Sequence, residues 1–195
     1  MPGAMTDNAY ACMPHPRLEA GGLWVAAVQP DDIQAIREWR NAQMEVLRQS
    51  RPITPAQQQA YFAERIWPSL RTAQPSDILV SYHDGERLIG YGGLVHIAWE
   101  HRRAEVSFLL DPALLSPPEL YGRYFGVFLG LMKRLAFADL GLERLFTETY
   151  ALRTPHIAVL EATGFRCEGV MRRHVRIAGR AVDALIHGCL KDDGT

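Results

Sequence analysis

The chain has 195 residues, of which 48% are hydrophobic and 22% are charged, and its formal net charge is -1. This length and composition are typical of one folded domain with a substantial core. The near-neutral charge argues against a nucleic-acid-binding protein, which needs lysines and arginines that acidic residues do not offset.

Cysteine and hydropathy patterns favour a reducing compartment. The three cysteines, Cys12, Cys167 and Cys189, are far apart and odd in number. They therefore predict neither a disulfide framework nor a Cys-x-x-Cys metal site. No apolar run approaches the about 20 residues that cross a bilayer, and the N-terminus lacks the pattern of a signal peptide. We expect a cytoplasmic protein without a membrane partner.

The first predicted elements follow a stretch without hydrophobic periodicity. Residues 1–20 are predicted to be a flexible tail, and residues 21–195 a single domain. The apolar run at 23–28 favours a strand. Asp31 and Gln34 have the spacing of a capping box, which predicts that a helix follows this strand.

A helix and a three-stranded meander are predicted in the middle of the chain. Thr54, Pro55 and Gln57 combine a capping hydroxyl, a proline at the first helical position and a side chain that reaches back to the cap. Apolar residues around short polar turns predict three antiparallel strands after this helix. The strands are expected at 77–83, 86–98 and 102–110.

The last third alternates between helices and strands. Apolar residues at steps of three and four predict a long helix up to Gly141. A strand at 143–150 follows, and Thr154 with Pro155 favours a shorter helix that stops at Gly164. The final strands, at 165–177 and 181–190, are expected to pair across a tight turn.

Three motifs in this order carry a family resemblance. They are Arg103-Ala104-Glu105-Val106-Ser107-Phe108, Leu135-Ala136-Phe137 with Leu140-Gly141-Leu142, and Gly164-Phe165 followed by Glu168-Gly169. With the order of the elements, they resemble the GNAT acetyltransferases, in particular the branch that acetylates ribosomal-protein N-termini and nucleotide-linked amino sugars. The resemblance implies an α/β (α+β) fold with a central, mixed, mostly antiparallel, splayed sheet flanked by helices. It also implies an N-acetyltransferase that uses acetyl-CoA.

The resemblance places the acetyl-CoA as well. In this family the strand that lies here at 102–110 separates from the strand at 143–150, and the pantetheine arm lies in the gap. Ser107, Phe108 and Leu109 would then contact the cofactor, and the backbone N–H of Ser107 or Phe108 would polarise the thioester carbonyl. An ordinary paired sheet amide is the alternative at these positions.

The loop that binds the CoA pyrophosphate in this family departs from its usual glycine-rich pattern here. Free N–H groups at the start of the long helix normally hold the anion. A helix that begins at Ser116 would lose two donors, because Pro117 and Pro118 have no N–H. We favour a second arrangement, in which the chain stays extended to Leu120. The donors are then the amides of Gly122, Arg123 and Tyr124 and the side chain of Arg123.

Glu105 is the candidate general base. The resemblance places it on the splayed strand, where its carboxylate would take the ammonium proton directly or through water. A salt bridge to Arg102 or Arg103 is the alternative role.

His156 is the candidate proton donor to the leaving thiolate. On the helix after the strand at 143–150, Arg153, His156 and Leu160 stand where the family often has Asn, Ser and Tyr. A histidine holds or releases a proton near neutral pH, so His156 would replace the missing group, and Arg153 would lie beside the cofactor. The alternative is a histidine that only satisfies polar groups near the helix start.

Arginines crowd the first predicted helix and the loop after it. Arg40, Arg48 and Arg51 would bind the diphosphate of a nucleotide-linked amino sugar, because a guanidinium pairs with phosphate through two hydrogen bonds. The Trp39-Arg40-Asn41 pattern also resembles acetyltransferases that act on sugar amines. Solvated helix arginines are the alternative. Asp183 in the final hairpin either binds the substrate amine or fixes the turn.

We therefore expect direct acetyl transfer from acetyl-CoA to a primary amine. A nucleotide-linked amino sugar is slightly ahead of a protein or peptide N-terminus, and a homodimer is compatible with the family. The altered pyrophosphate loop favours a second hypothesis, a GNAT-fold CoA-binding or scaffold protein without turnover. The histidines lack a metal-binding spacing, so no metal site is expected.

Overall fold

The computed structural model describes residues 8–194. Its fold is built on one eight-stranded mixed sheet. Its strands are β1 (Arg17–Ala20), β2 (Leu23–Ala27), β3 (Ile78–Asp84), β4 (Arg87–Ala98), β5 (Arg103–Leu110), β6 (Arg144–Tyr150), β7 (Arg166–Ile177) and β8 (Arg180–Leu190). Their spatial order is β1-β2-β3-β4-β5-β6-β8-β7. Every neighbouring pair is antiparallel except β5 with β6. The predicted mixed, mostly antiparallel sheet is confirmed.

Helices cover both faces of this sheet. They are α1 (Ile33–Ala42), α2 (Pro55–Tyr61), α3 (Trp67–Ser69), α4 (Pro118–Lys133) and α5 (Thr154–Ala162). On one face, Ile36 of α1 and Phe62 after α2 pack with Leu79 of β3. On the other face, Phe125 and Phe128 of α4 belong to the larger core. The sheet therefore separates two hydrophobic cores.

Of the two predicted capping boxes at the first helices, one forms and the other does not. The Thr54 hydroxyl accepts the Gln57 N–H at 3.2 Å, and the Gln57 side chain accepts the Thr54 N–H at 2.9 Å. The Asp31 and Gln34 capping box is wrong, because Asp32 accepts the backbone N–H of Gln29 at 2.9 Å instead. A short 3-10 turn comes before α1 and moves the cap back along the chain.

The first twenty residues contain more structure than the sequence pattern indicated. β1 lies inside the stretch for which a tail was predicted, and it pairs with β2. Leu18 and Tyr10 of the same stretch are buried. The Tyr10 hydroxyl accepts the backbone N–H of Leu79 at 2.8 Å. Residues 1–7 of that stretch lie outside the described residues. In the part of the chain that the structure describes, no helix is long and apolar enough to cross a membrane.

β5 and β6 separate in the middle of the sheet. They pair in parallel only from Arg103 to Glu105 on β5 and from Arg144 to Phe146 on β6. Beyond these residues β5 stays paired with β4, while β6 stays paired with β8. Each strand therefore has one free edge that faces a gap, as the splayed sheet requires.

Candidate active site

Two cavities meet where β5 and β6 separate. The smaller one, of about 150 Å³, lies in the gap and is lined by Glu105–Phe108, 147–150, Arg153 and His156 among others. The larger one, of about 520 Å³, lies against α1, α2 and the loop between them. Arg40, Arg48 and Ser107 line both cavities. The junction thus joins a binding space in the gap to one against α1 and α2.

Glu105 lines the smaller cavity beside Arg48 and is buried, with 6% of its side chain exposed. One carboxylate oxygen is paired with the guanidinium of Arg48, and the other lies 2.9 Å from Nδ1 of His96. Neither predicted alternative partner binds it: Arg102 pairs with Glu143, and Arg103 lies over the ring of Phe146. These two contacts fix the position of the Glu105 carboxylate beside the junction.

Arg48 connects the two separated strands. Besides Glu105 on β5, it lies 3.8 Å from Glu148 on β6. His174 of β7 approaches the same Glu148 at 3.4 Å. The charge of Arg48 is therefore offset by two carboxylates, unlike that of the other arginines at this site.

His156 belongs to a buried cluster on the opposite side of the gap. Its ring stacks on Phe125 with centroids 4.0 Å apart, and its Nδ1 lies 2.6 Å from the Tyr121 hydroxyl. Arg153 donates to the same hydroxyl at 3.4 Å. Burial, and then the electrostatic effects of Arg153 and His187, hold the pKa of His156 well below its ordinary value. His156 is therefore a neutral imidazole at neutral pH. It can give up a proton from one ring nitrogen only if it receives another proton on the second nitrogen.

Tyr121 is the tyrosine of this cluster. Burial raises its pKa, while Arg153 lowers it in part. Arg153 donates to the Tyr121 oxygen, and with the Nε2–H tautomer of His156 the Tyr121 hydroxyl donates its proton to Nδ1. In that tautomer the Tyr121 hydroxyl and His156 form a chain of two exchangeable protons that ends at the cavity.

The start of α4 differs from both predicted arrangements. The helix begins at Pro118, and the N–H groups of Leu120 and Tyr121 donate to the carbonyl of Pro117. The extension to Leu120 is wrong, since Pro118 is well suited to the first helical turn. The amides of three predicted anion ligands, Gly122, Arg123 and Tyr124, consequently lie inside the helix.

The side chains of these three residues also differ in what they offer. Gly122 faces Val159 of α5, and the Tyr124 hydroxyl donates to Asp84 at 2.9 Å. Arg123 is exposed, with its guanidinium 5.9 Å from the Tyr124 ring. Of the three, only Arg123 has a cationic group available for an anion outside the helix.

The gap has groups that suit the acetylated end of acetyl-CoA. The hydroxyls of Thr147 and Thr149 are buried and have no hydrogen-bond partner among the described residues. Both residues line the smaller cavity, as do Ser107 and Phe108 on the free edge of β5. Pantetheine is rich in amide groups, so unpaired hydroxyls and strand-edge amides fit it chemically. Leu109 instead packs its side chain into the core beside α1.

The larger cavity is cationic. Arg40, Arg48 and Arg51 line it, and among its described lining residues there is no carboxylate. Arg40 donates to the Tyr91 hydroxyl at 2.5 Å and to the Gln49 side chain at 3.2 Å, which are both neutral. Arg40 and Arg51 therefore present positive charge that no lining group offsets.

Asp183 lies away from both cavities. Its carboxylate accepts the backbone N–H of Arg173 at 2.6 Å, where β7 bends and Arg173 has a φ of 52°. This contact agrees with a structural role for Asp183 in the hairpin. It lies at the bulge in β7, however, and not at the turn. No group of three or more metal-ligating side chains occurs within residues 8–194.

Two site residues have no signal in the sequence. Only the packing of α4 on α5 puts Tyr121 beside His156. The spacing of His96 in the sequence does not connect it with Glu105. Its contact with Glu105 depends on a bulge in β4, which no pattern of residue types predicts.

Comparisons with known proteins agree with this architecture. The sequence matches the family described as an acetyltransferase (GNAT) domain over residues 25–186. No curated protein matches it significantly. Three similar solved structures have sequence identities of 18%, 19% and 18%, which support the fold alone.

The first of these structures is spermidine N-acetyltransferase from Vibrio cholerae in complex with CoA and spermine, with a TM-score of 0.75, covering 89% of this chain and 98% of that one. The second is a putative acetyltransferase with a TM-score of 0.66, covering 92% and 88%. The third is a dodecameric structure of the Vibrio cholerae spermidine enzyme with a TM-score of 0.73, covering 88% and 95%. None of these three structures is named as an acetyltransferase of ribosomal-protein N-termini or of amino sugars.

Proposed function

The chain belongs to the GNAT acetyltransferase family, and from that premise we propose that it transfers an acetyl group from acetyl-CoA to the primary amine of an anionic small molecule. The main support is that the two cavities share Arg48 and Ser107, and that Glu105, which lines the smaller cavity, pairs with Arg48. The gap between β5 and β6 takes the thioester, and the arginine-lined cavity takes the acceptor. The two substrates then meet beside a buried carboxylate.

In this proposal the amine nitrogen bonds to the acyl carbon, and the carbon–sulfur bond breaks. Glu105 takes one proton from the amine, directly or through a water molecule. An N–H on the free edge of β5, at Ser107 or Phe108, donates to the carbonyl oxygen as negative charge develops there. No covalent enzyme intermediate is needed.

The departing thiolate receives its proton from the His156 cluster. Because His156 is neutral, it gives the proton on Nε2 and regains one on Nδ1 from the Tyr121 hydroxyl. Arg153 lies beside the phenolate that this leaves on Tyr121, and the phenolate regains a proton from water after CoA departs. This role keeps the predicted donor, His156, and adds Tyr121 as the residue that restores its proton.

The charge of the larger cavity selects the acceptor class. Arg40 and Arg51 favour a phosphate-bearing amine, because guanidinium and phosphate form charge-assisted, bidentate hydrogen bonds. A nucleotide-linked amino sugar combines a diphosphate with a weakly basic primary amine. A protein or peptide N-terminus, the second predicted acceptor, lacks the phosphate that these arginines would bind.

The same charge argues against a polyamine acceptor. The Vibrio cholerae structure contains spermine, which is a polycation. In this chain a polycation would meet Arg40 and Arg51 in a cavity whose described lining residues include no carboxylate. We expect spermidine to be a poor acceptor despite the similarity in fold.

The first test is calorimetric titration with acetyl-CoA, followed by steady-state rates with three acceptors. These are a nucleotide-diphosphate amino sugar, an N-terminal peptide and spermidine. Micromolar acetyl-CoA binding with turnover only on the phosphorylated amine supports the proposal. Binding without turnover on any of the three would favour the second hypothesis, a CoA-binding or scaffold protein. The absence of binding at millimolar acetyl-CoA would overturn both.

Arginine variants then test the acceptor site itself. Arg51→Met should raise the KM for the phosphorylated amine about tenfold to a hundredfold, since a hydrogen bond to a charged group contributes about 1.5–3 kcal/mol. Its KM for acetyl-CoA should stay unchanged. Arg71→Met is the matched control, because Arg71 is exposed and does not line either cavity. An equal effect of both variants would contradict the anionic site.

Glu105→Gln tests the base. It keeps the shape of the side chain but accepts no proton, so kcat should fall about a hundredfold while the affinity for acetyl-CoA persists.

A homodimer and a cytoplasmic location remain predictions. Size-exclusion chromatography with light scattering would test the former.

A further inference from the structure

His96 has an unusual backbone conformation beside the proposed base. It is a non-glycine residue with a φ of 51°, at the point where the pairing of β4 with β5 shifts register between Val95 and Ala98. Left-handed backbone is unfavourable for a residue with a Cβ atom. Such a conformation persists only where the surroundings hold it, and it is concentrated at functional sites.

Two contacts hold His96 in this conformation. Its backbone N–H donates to the Asp77 carboxylate at 3.2 Å, and its Nδ1 lies 2.9 Å from Oε2 of Glu105. The side chain is nevertheless 64% exposed, while that of Glu105 is 6% exposed. The imidazole therefore has one nitrogen on a buried carboxylate and a large surface in water.

The proposed reaction leaves a proton on Glu105 in every turnover. That proton must leave before the carboxylate can act again. Within the described part of the chain, two side chains pair with Glu105, and one of them, Arg48, is a guanidinium that accepts no proton. His96 is the other, and imidazole exchanges protons readily near neutral pH.

We propose that His96 carries the proton from Glu105 to solvent. This inference rests on the acetyltransferase function proposed above and assigns a positioning and relay role that acts through Glu105. While Glu105 is ionised, the Nδ1–H of His96 donates to Oε2. Once Glu105 holds the amine proton, exchange with solvent converts the ring to the Nε2–H tautomer, Nδ1 accepts the proton from Oε2, and Nε2 releases its own proton to water. This restores the Nδ1–H tautomer and the ionised carboxylate, so that no net charge accumulates on the pair.

Other charged groups near this pair define its electrostatic environment. Arg48 contacts Glu105, Glu148 lies 3.8 Å from Arg48, and His174 lies 3.4 Å from Glu148. Asp77 faces the backbone of His96 from the segment before β3. A pH profile of the wild-type protein includes contributions from all of them, so the test compares variants rather than relying on one profile.

The experiment uses His96→Gly with added imidazole. Glycine adopts the left-handed conformation without strain and leaves space for free imidazole, so the variant is expected to fold. With saturating acetyl-CoA and amine, kcat should fall about tenfold to a hundredfold near neutral pH, and the KM for acetyl-CoA should not change. Free imidazole should restore the rate, and substituted imidazoles should do so in the order of their basicity. His101→Gly is the matched control, since His101 is 66% exposed and its ion-pair partner is Glu100.

A second variant separates proton transfer from positioning. Asn tolerates left-handed backbone but fills the space and does not titrate, so His96→Asn should lose the same rate and not respond to imidazole. In the Glu105→Gln background, His96→Gly should cause no further loss, because the two residues act as a unit.

Three results would overturn the relay. They are full activity of His96→Gly, a loss that imidazoles restore without regard to basicity, and a further loss in the Glu105→Gln background. The failure of the proposed function differs from these, because the wild-type protein itself would then show no turnover with any amine. In that case the relay is overturned together with the function on which it rests.

Discussion

His156→Asn should make the stability of the protein less sensitive to acid. In the wild-type protein, burial and then the electrostatic effects of Arg153 and His187 hold the pKa of His156 well below its ordinary value. In the unfolded chain the same imidazole titrates near about 6.5. Below that pH the unfolded state binds a proton that the folded state does not bind, so folding loses free energy as the pH falls. Above about pH 7 the contribution is constant.

The size of the effect follows from one proton. If His156 stays neutral in the folded state down to pH 5, the loss between pH 7.5 and 5 is about 2 kcal/mol, at about 1.4 kcal/mol per pH unit below 6.5. Asn places an acceptor near the position of Nδ1 and can accept the Tyr121 hydroxyl, whereas it has no titrating group. The smaller side chain leaves a cavity under Phe125, which destabilises the protein equally at both pH values.

The assay is urea denaturation of both proteins at pH 7.5 and pH 5. The free energy of unfolding of the wild-type protein should fall by about 2 kcal/mol more than that of His156→Asn. His83 also has a pKa lowered by burial, but it is present in both proteins and cancels in the comparison. His101→Asn, at an exposed histidine, should behave like the wild type. An identical pH dependence in the wild type and His156→Asn would refute the neutral, buried state of His156.

Two further predictions concern catalysis and packing. Tyr121→Phe removes the hydroxyl that lies 2.6 Å from Nδ1 of His156. In steady-state assays kcat should fall at least about tenfold, with little change in the KM of either substrate. An unchanged kcat would show that Tyr121 is not part of the proton route. Gly93→Ala should destabilise the fold by more than about 3 kcal/mol in urea denaturation, because its Cβ would lie 1.9 Å from the Ile78 carbonyl oxygen at a φ of 139°. Gly130→Ala on α4, where nothing lies within 4 Å of the added atom, should instead stabilise the protein by about 1 kcal/mol; equal effects of the two substitutions would contradict the close approach at Gly93.

Local patterns in the sequence were sufficient for most of the helices and strands. The Thr54 and Gln57 cap forms as predicted, with Pro55 at the first helical position, whereas Asp31 and Gln34 have the same spacing and do not form one. The meander of β3, β4 and β5 and the hairpin of β7 and β8 follow from apolar runs and short turns. The α4 start was missed, because a proline can either end an extended segment or open a helix, and the choice depends on packing outside the local sequence.

The site itself depended on contacts between distant parts of the chain. The sequence alone determined the family, the splayed sheet and the strand position of Glu105, since these follow from the order of elements and the motifs around them. Only the tertiary structure decided that Arg48 and His96 hold Glu105, and that Tyr121 lies on His156. The physical reason is that side-chain hydrogen bonds depend on positions set by a bulge in β4 and by the packing of α4 on α5. Those positions come from the packed core as a whole, which no local spacing of residues specifies.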